Sequence, residues 1–268
     1  MNQKGKIYFV GIGPGDPELM TIKAHKVMSS ADIIIYTGSL INRKILDMFP
    51  KAEKIDSHGL SVDEIVDIMK KKYNDGKVVA RVHDGDPCIF GSTKEYFELL
   101  EKEGIDFEII PGVSSFIAAA SALKMEYTIP EITQSIVITR YPGKTPVPED
   151  IREFMKQKPT IIFFLSAALI DKIVQDLLSA GFPPEFPCAV CYKVSWEDQK
   201  IIQGTISDIS SKIKEQGINS HALFIVSKAF QAYGNRSFVY SQQYAQMVRR
   251  VKNKNNHSDE SNNLIDDQ

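Results

Sequence analysis

Four short stretches of this 268-residue chain combine glycine, proline, acidic and hydroxyl residues in a way that suits a small-molecule site. The first is Gly11-Ile12-Gly13-Pro14-Gly15-Asp16-Pro17, and the second is Gly38-Ser39-Leu40-Ile41-Asn42. The third runs His83-Asp84-Gly85-Asp86-Pro87 and on into Cys88-Ile89-Phe90-Gly91; the fourth is Pro111-Gly112-Val113-Ser114-Ser115. Glycine permits close backbone approach. Carboxylates and hydroxyls can bond sugar hydroxyls, while Ile, Leu and Val can sandwich a flat ring. Each stretch alone is also compatible with a plain turn; together they favour one shared pocket.

Two sharper chemistries are disfavoured by spacing. The first stretch approximates the dinucleotide fingerprint G-x-G-x-x-G, but its third glycine comes one residue early. Pro14 and Pro17 also remove two amide donors that a pyrophosphate at a helix start requires. An NAD(P)-dependent oxidoreductase would further place an acidic residue after the second strand, where Tyr36-Thr37-Gly38-Ser39 stands. Cys188-Ala189-Val190-Cys191 has C-x-x-C spacing, yet residues three apart on a strand point to opposite faces. No second cysteine pair exists to complete a zinc site. The two cysteines read as buried small apolar residues, and no metal held by the protein is expected.

The elements that must carry these turns alternate. Strand-like runs at 7–10, 33–36, 78–82 and 107–110 each lead into one of the four stretches. Helical stripes such as Val62, Ile65, Val66, Met69 and Tyr73 lie between them, and 113–123 reads as a buried helix of small residues. A second set has strand-like runs at 136–139, 160–165, 189–194 and 223–226. Its helical stripes are Leu169, Ile173, Val174, Leu177 and Ile206, Ile209, Ile213. Alternation of this kind implies crossovers and a mainly parallel sheet, with ligands at the carboxyl ends of the strands. Thr128-Ile129-Pro130-Glu131 separates the sets, since proline should end any helix from the first. The expectation is two α/β domains, 1–130 and 131–252.

Residues 253–268 hold five Asn, four acidic residues and one Lys. That is too little apolar surface to offset ordering entropy, and the segment is read as a disordered tail. Before it, Tyr240, Tyr244, Met247 and Val251 recur at helical spacing with Arg249, Arg250 and Lys252 between them. Net charge is −2, of which the tail carries −3. The body is therefore close to neutral and gives no electrostatic case for nucleic-acid binding. No apolar run suggests a membrane span. Three cysteines argue against a secreted disulfide framework, which makes the cytoplasm the expected compartment.

The ordered set Val10 to Pro17, Gly85-Asp86-Pro87 and Pro111 to Ser115 resembles the tetrapyrrole methylases over about residues 5–230. The resemblance implies two α/β domains with the active-site cleft between them, S-adenosyl-L-methionine as methyl donor with S-adenosyl-L-homocysteine as product, and a homodimer. Tyr36 to Asn42, Asp56 to Leu60, Thr139 to Pro148 and Tyr192 to Asp198 resemble the branch that methylates carbon 11 of precorrin-4, or its cobalt form, in cobalamin biosynthesis. His58 departs from that pattern, as does Lys193-Val194. Sister enzymes acting on other macrocycle carbons or on uroporphyrinogen are the alternative.

By that resemblance Pro14, Asp84, Gly85, Asp86, Ile89, Ser114, Ser115, Leu165, Val194 and Ala222 are expected to line the cofactor site. A polycarboxylate substrate directs attention to Arg43, Arg81, Arg140, Lys144 and Lys193. Of these, Arg140 and Lys144 are the chosen substrate-binding candidates. Asp56, His58 and His83 are the candidates for a proton-accepting base. The small-molecule tetrapyrrole is the expected partner.

Overall fold

The computed structural model describes residues 4–143, 145–232, 241–247 and 249. The first half builds a sheet from β1 (Lys6–Gly11), β2 (Ile33–Tyr36), β3 (Glu53–Asp56), β4 (Val78–His83) and β5 (Phe107–Ile110). All five run parallel, in the order β3-β2-β4-β1-β5. Parallel neighbours need crossovers. These are supplied by α1 (Ile22–Ser30), α2 (Arg43–Asp47), α3 (Val62–Asn74) and α4 (Lys94–Lys102). Alternate strand residues divide between two cores. Val10, Ile34, Ala80 and Val82 pack on α1 and α2, whereas Ile7, Phe9, Ile33 and Ile35 pack on α3 and α4. The connection from β1 passes over β4 to reach β2 and the one from β4 passes over β1 to reach β5, on opposite faces of the sheet; open sheets of this kind bind ligands at the carboxyl ends of their strands.

The second half builds a sheet from β6 (Ile136–Arg140), β7 (Thr160–Phe164), β8 (Pro187–Tyr192), β9 (Lys200–Thr205) and β10 (Ala222–Val226), in the order β6-β7-β10-β8-β9. Here the expected mainly parallel arrangement fails. Only β6 and β7 are hydrogen-bonded in parallel; the other three neighbouring pairs are antiparallel. The cause is a single reversal. The β8–β9 turn flips the chain, and α8 (Ile209–Glu215) then carries it to β10 in the flipped direction. The edge strand β9 has only Ile201 and Ile202 beside Lys200 and Gln203, with no apolar alternation to mark it. The charged, four-residue edge strand β3 escaped for the same reason.

Helices α6 (Ile151–Lys156), α7 (Ile170–Ser179) and α8 cover one face of this sheet. The other face, through Ile162, Cys191, Leu223 and Ile225, packs against α5 (Ser115–Leu123) by way of Ala118 and Ala119. Helix α5 therefore leaves the first sheet at its amino end and seats on the second. It stops at Lys124, well before Pro130, where a φ of 52° turns the backbone into the left-handed region. A left-handed residue is a common way to end a helix. Cys188 and Cys191 point to opposite faces and are both buried. Residues 242–247 are helical; Tyr240, Arg250, Val251, Lys252 and the 253–268 segment lie outside the described residues. No described helix is long and apolar enough to cross a membrane.

Candidate active site

Three loops of the first half meet backbone to backbone. Gly85 donates its amide to the Gly13 carbonyl at 2.8 Å and accepts the Gly13 amide at 3.3 Å. A Cβ on Gly112 would stand 2.0 Å from the Gly85 carbonyl oxygen, and one on Gly11 would stand 2.6 Å from the Gly112 nitrogen. Only glycine fits such an approach. The Asp86 carboxylate fastens the same place, accepting the Gly112 amide at 2.9 Å and the Cys88 amide at 2.8 Å. Its position near the cleft is thus joined to a structural task.

The second half closes over this floor. Trp196 donates its indole N–H to the Pro14 carbonyl at 3.0 Å, with its ring against the bare face of Gly15. Ser195 Oγ accepts the Asp16 amide at 3.0 Å, and Lys44 pairs with Glu197. Asn42 donates to the Gly15 carbonyl at 2.9 Å. The carboxyl ends of the first sheet and the loops of the second are held face to face.

Between them lies a cleft of about 970 Å³, including space open to solvent. All ten residues expected at the cofactor site line it: Pro14, Asp84, Gly85, Asp86, Ile89, Ser114 and Ser115 from one side, Leu165, Val194 and Ala222 from the other. Asp84 opens onto the cleft. Desolvation by the protein around it raises its carboxyl above the ordinary carboxylate value, with the nearby His221 acting in the opposite sense. Ser114 precedes α5 without its hydroxyl capping the helix, and its carbonyl accepts the Ile117 amide at 3.0 Å. Leu165, just past β7, is 65% exposed and is no core residue, whereas Val194, just past β8, is buried in the core beneath α5 as well as lining the cleft.

A second groove of about 1370 Å³, again including solvent space, runs along β6 and the 145–149 loop. Arg140 lines it and donates to the Pro146 carbonyl at 3.0 Å. Lys144 lies outside the described residues. The groove shares Phe90 and Leu165 with the cleft.

The three base candidates do not line either space. His83 is 8% exposed beneath Phe9, and burial, aided by the Arg81 charge, pushes its imidazole down to about 3. It is neutral and enclosed, which does not suit proton exchange with a ligand. Asp56 accepts the His58 amide at 2.9 Å and the Gly38 amide at 3.1 Å, which hold its carboxyl below the ordinary value. His58 is exposed in that same turn. Arg81 is 5% exposed, donating to Ser57 Oγ at 3.0 Å and Thr37 Oγ1 at 2.7 Å and lying over the Tyr96 ring. It anchors loops and faces no open cleft. Lys193 does line the cleft, held by Asp198 at 2.5 Å.

Residues 6–210 match the family model of tetrapyrrole (corrin/porphyrin) methylases. The chain belongs to that family. A relative in Methanocaldococcus jannaschii, named cobalt-precorrin-4 C(11)-methyltransferase, is 46% identical over 247 residues, covering 91% of this chain and 94% of its own length. One in Methanosarcina barkeri, named S-adenosyl-L-methionine-dependent uroporphyrinogen III methyltransferase, is 34% identical over 232 residues, covering 83% and 91%. The solved structure of a cobalt precorrin-4 methyltransferase superposes with a TM-score of 0.82 at 39% identity, over 84% of this chain and 95% of that one.

Sequence reasoning passed over several lining residues: Leu40, Phe90, Phe164, Trp196 and His221 among them. Trp196 carried a usable signal as the sole tryptophan, adjacent to Ser195 in a polar stretch. Phe90 stood in the third glycine-rich stretch and Leu40 in the second without being singled out, and His221 carried no signal, its place depending on a left-handed backbone, φ 52°, that no periodicity reveals.

Proposed function

We propose that the cleft binds S-adenosyl-L-methionine and that the chain transfers its methyl group to carbon 11 of cobalt-precorrin-4, or of precorrin-4, in cobalamin biosynthesis. The observation that carries this reading is the convergence of ten separately encoded positions on one cleft with an acceptor-sized groove opening from it. The relatives named for that reaction give it its substrate. The donor groups suit the ligand. We assign Asp84 and the hydroxyls of Ser114 and Ser115 to ribose and amino-acid polar atoms, and Ile89, Val194 and Ala222 to the purine, because all of them line the cleft. When bound, the donor supplies a methyl group on a sulfonium and leaves as a neutral thioether.

The protein needs no strong acid for such a leaving group. Its contribution is to hold methyl and carbon in line and to present fixed dipoles in a water-poor space. The interlocked glycine loops suit that task, since a floor made of backbone cannot change rotamer. Arg140, beside the groove, is assigned to a substrate carboxylate, and Lys144 is assigned with it. Any cobalt belongs to the substrate. We further read residues 1–130 and 131–252 as the two domains, and the protein as a cytoplasmic homodimer.

Incubation with carbon-13 methyl-labelled donor and cobalt-precorrin-4, followed by NMR of the product, tests this. The label at carbon 11 is expected. Label at another ring carbon, or transfer to uroporphyrinogen alone, refutes the assignment within the family.

A further inference from the structure

The cleft and the groove have two apolar lining residues in common, Phe90 and Leu165. They come from opposite halves, one from the loop after β4 and one from the end of β7. Both are unusual in the same two ways. Their φ angles are 55° and 53°, a region that non-glycine residues seldom occupy. Both also stay in contact with solvent, 41% and 65% exposed, and neither belongs to a hydrophobic core. A strained backbone carrying an exposed apolar side chain costs stability on both counts, and such costs concentrate where function requires them. The Phe90 ring rests on Phe164, at 5.2 Å between centroids, which fixes it at the mouth between the two spaces.

We infer that Phe90 and Leu165 form an apolar collar between the cofactor cleft and the acceptor groove, which keeps water from the methyl-transfer path and so sets the rate of transfer. This rests on the methyltransferase reading above. In the step itself the carbon–sulfur bond breaks with its electron pair passing to sulfur, and the enamine pair of the macrocycle forms the new carbon–carbon bond. The positive charge moves from sulfur to the ring and leaves as a proton from a ring nitrogen to solvent. Charge localised on sulfur is spread out at the transition state. Water stabilises the localised form more, so an apolar, dry path favours the transition state over the bound ground state. The collar therefore acts on kcat more than on binding.

Glycine at either position removes the side chain and also relieves the backbone, so unfolding does not confound the test. Phe90→Gly and Leu165→Gly are expected to melt at or above the wild-type temperature. Phe90→Gly should keep S-adenosylhomocysteine affinity and substrate KM within about twofold, and Leu165→Gly within about fivefold, because Leu165 is also on the cofactor wall. In both, kcat should fall at least tenfold, the signature of an interaction made in the transition state. Leu165→Met and Phe90→Leu should recover most of the rate. The partition is also read without any acceptor. Acrylamide quenching of Trp196, the sole tryptophan and a cleft-lining residue, should rise about twofold in the glycine variants.

Wild-type kcat in Phe90→Gly, or quenching equal to wild type in both glycine variants, overturns the collar. So does a loss of kcat matched by an equal loss of affinity. Wild-type protein that transfers no methyl to cobalt-precorrin-4 instead overturns the functional reading, and the quenching result still judges the collar.

Discussion

The floor and the wall of the cleft are built by opposite means. The floor, from the first half, is made of missing side chains: Gly11, Gly13, Gly85 and Gly112 let three loops touch through their backbones. The wall, from the second half, carries side chains on strained backbone: Leu165, Lys193 and His221 all have φ between 43° and 53°. A backbone floor is rigid and tolerates no added atom. A side-chain wall can be altered residue by residue without losing the fold.

The largest way to break that contrast is Gly112→Ala. The new Cβ meets a carbonyl oxygen rather than a flexible side chain. A loss of about 3 kcal/mol is expected, at the upper end of overpacking costs. Urea denaturation reads it, and cofactor binding should disappear with it. Leu165→Gly, at an exposed left-handed position of the wall, should instead be neutral or stabilising. A stable, cofactor-binding Gly112→Ala protein would show that the floor gives way as easily as the wall.

Asp86→Ala removes the acceptor of two backbone amides at the floor. A loss of about 2 kcal/mol is expected from the unpaired donors. Weaker S-adenosylhomocysteine binding by calorimetry should accompany it. Asp86→Asn keeps one acceptor oxygen and should recover part of both.

Beneath the floor, His83 links stability to pH. Its folded value of about 3 lies below the free value of 6.5, so the unfolded chain binds the extra proton first. The contribution is complete above pH 6.5 and is lost as pH falls toward 3. Each pH unit within that window is worth about 1.4 kcal/mol. Lowering the pH from the free value to about 5 should therefore cost about 2 kcal/mol. His83→Phe, which can pack on Phe9, should flatten that part of the stability profile. An unchanged slope would place the titration elsewhere.

The smallest expected effect is at the seam. Trp196→Phe keeps a ring against Gly15 and loses only the bond to the Pro14 carbonyl. About 1 kcal/mol of stability is expected to go, with a few-fold drop in S-adenosylhomocysteine affinity. An effect as large as that of Gly112→Ala would mean that the seam, not the floor, holds the cleft.

The same contrast explains what was legible in the sequence. The floor announces itself, because glycine, proline and aspartate cluster where backbones must touch, and Gly11 to Asp16, Asp84 to Asp86 and Gly112 to Ser115 stand out at once. The first sheet was readable because its inner strands are apolar runs. The wall was not readable from local pattern, since Leu165 and Val194 look like strand residues until the turn that ends their strands is seen. Family resemblance, not periodicity, brought both into the set expected to line the cleft. The direction of the second sheet hung on one polar hairpin strand, β9, which has no apolar alternation to find. His83 misled because sequence shows a histidine beside a functional turn but not that the sheet buries it.

A titration of the wild-type chain with S-adenosylhomocysteine, following heat and Trp196 emission together, tests the central claim most directly. One molecule bound per chain is expected, with an emission change that saturates in step with the heat and is absent when NAD replaces the ligand. No heat at high micromolar concentration, or full binding with Trp196 emission unmoved, would contradict a cofactor cleft shared by the two halves.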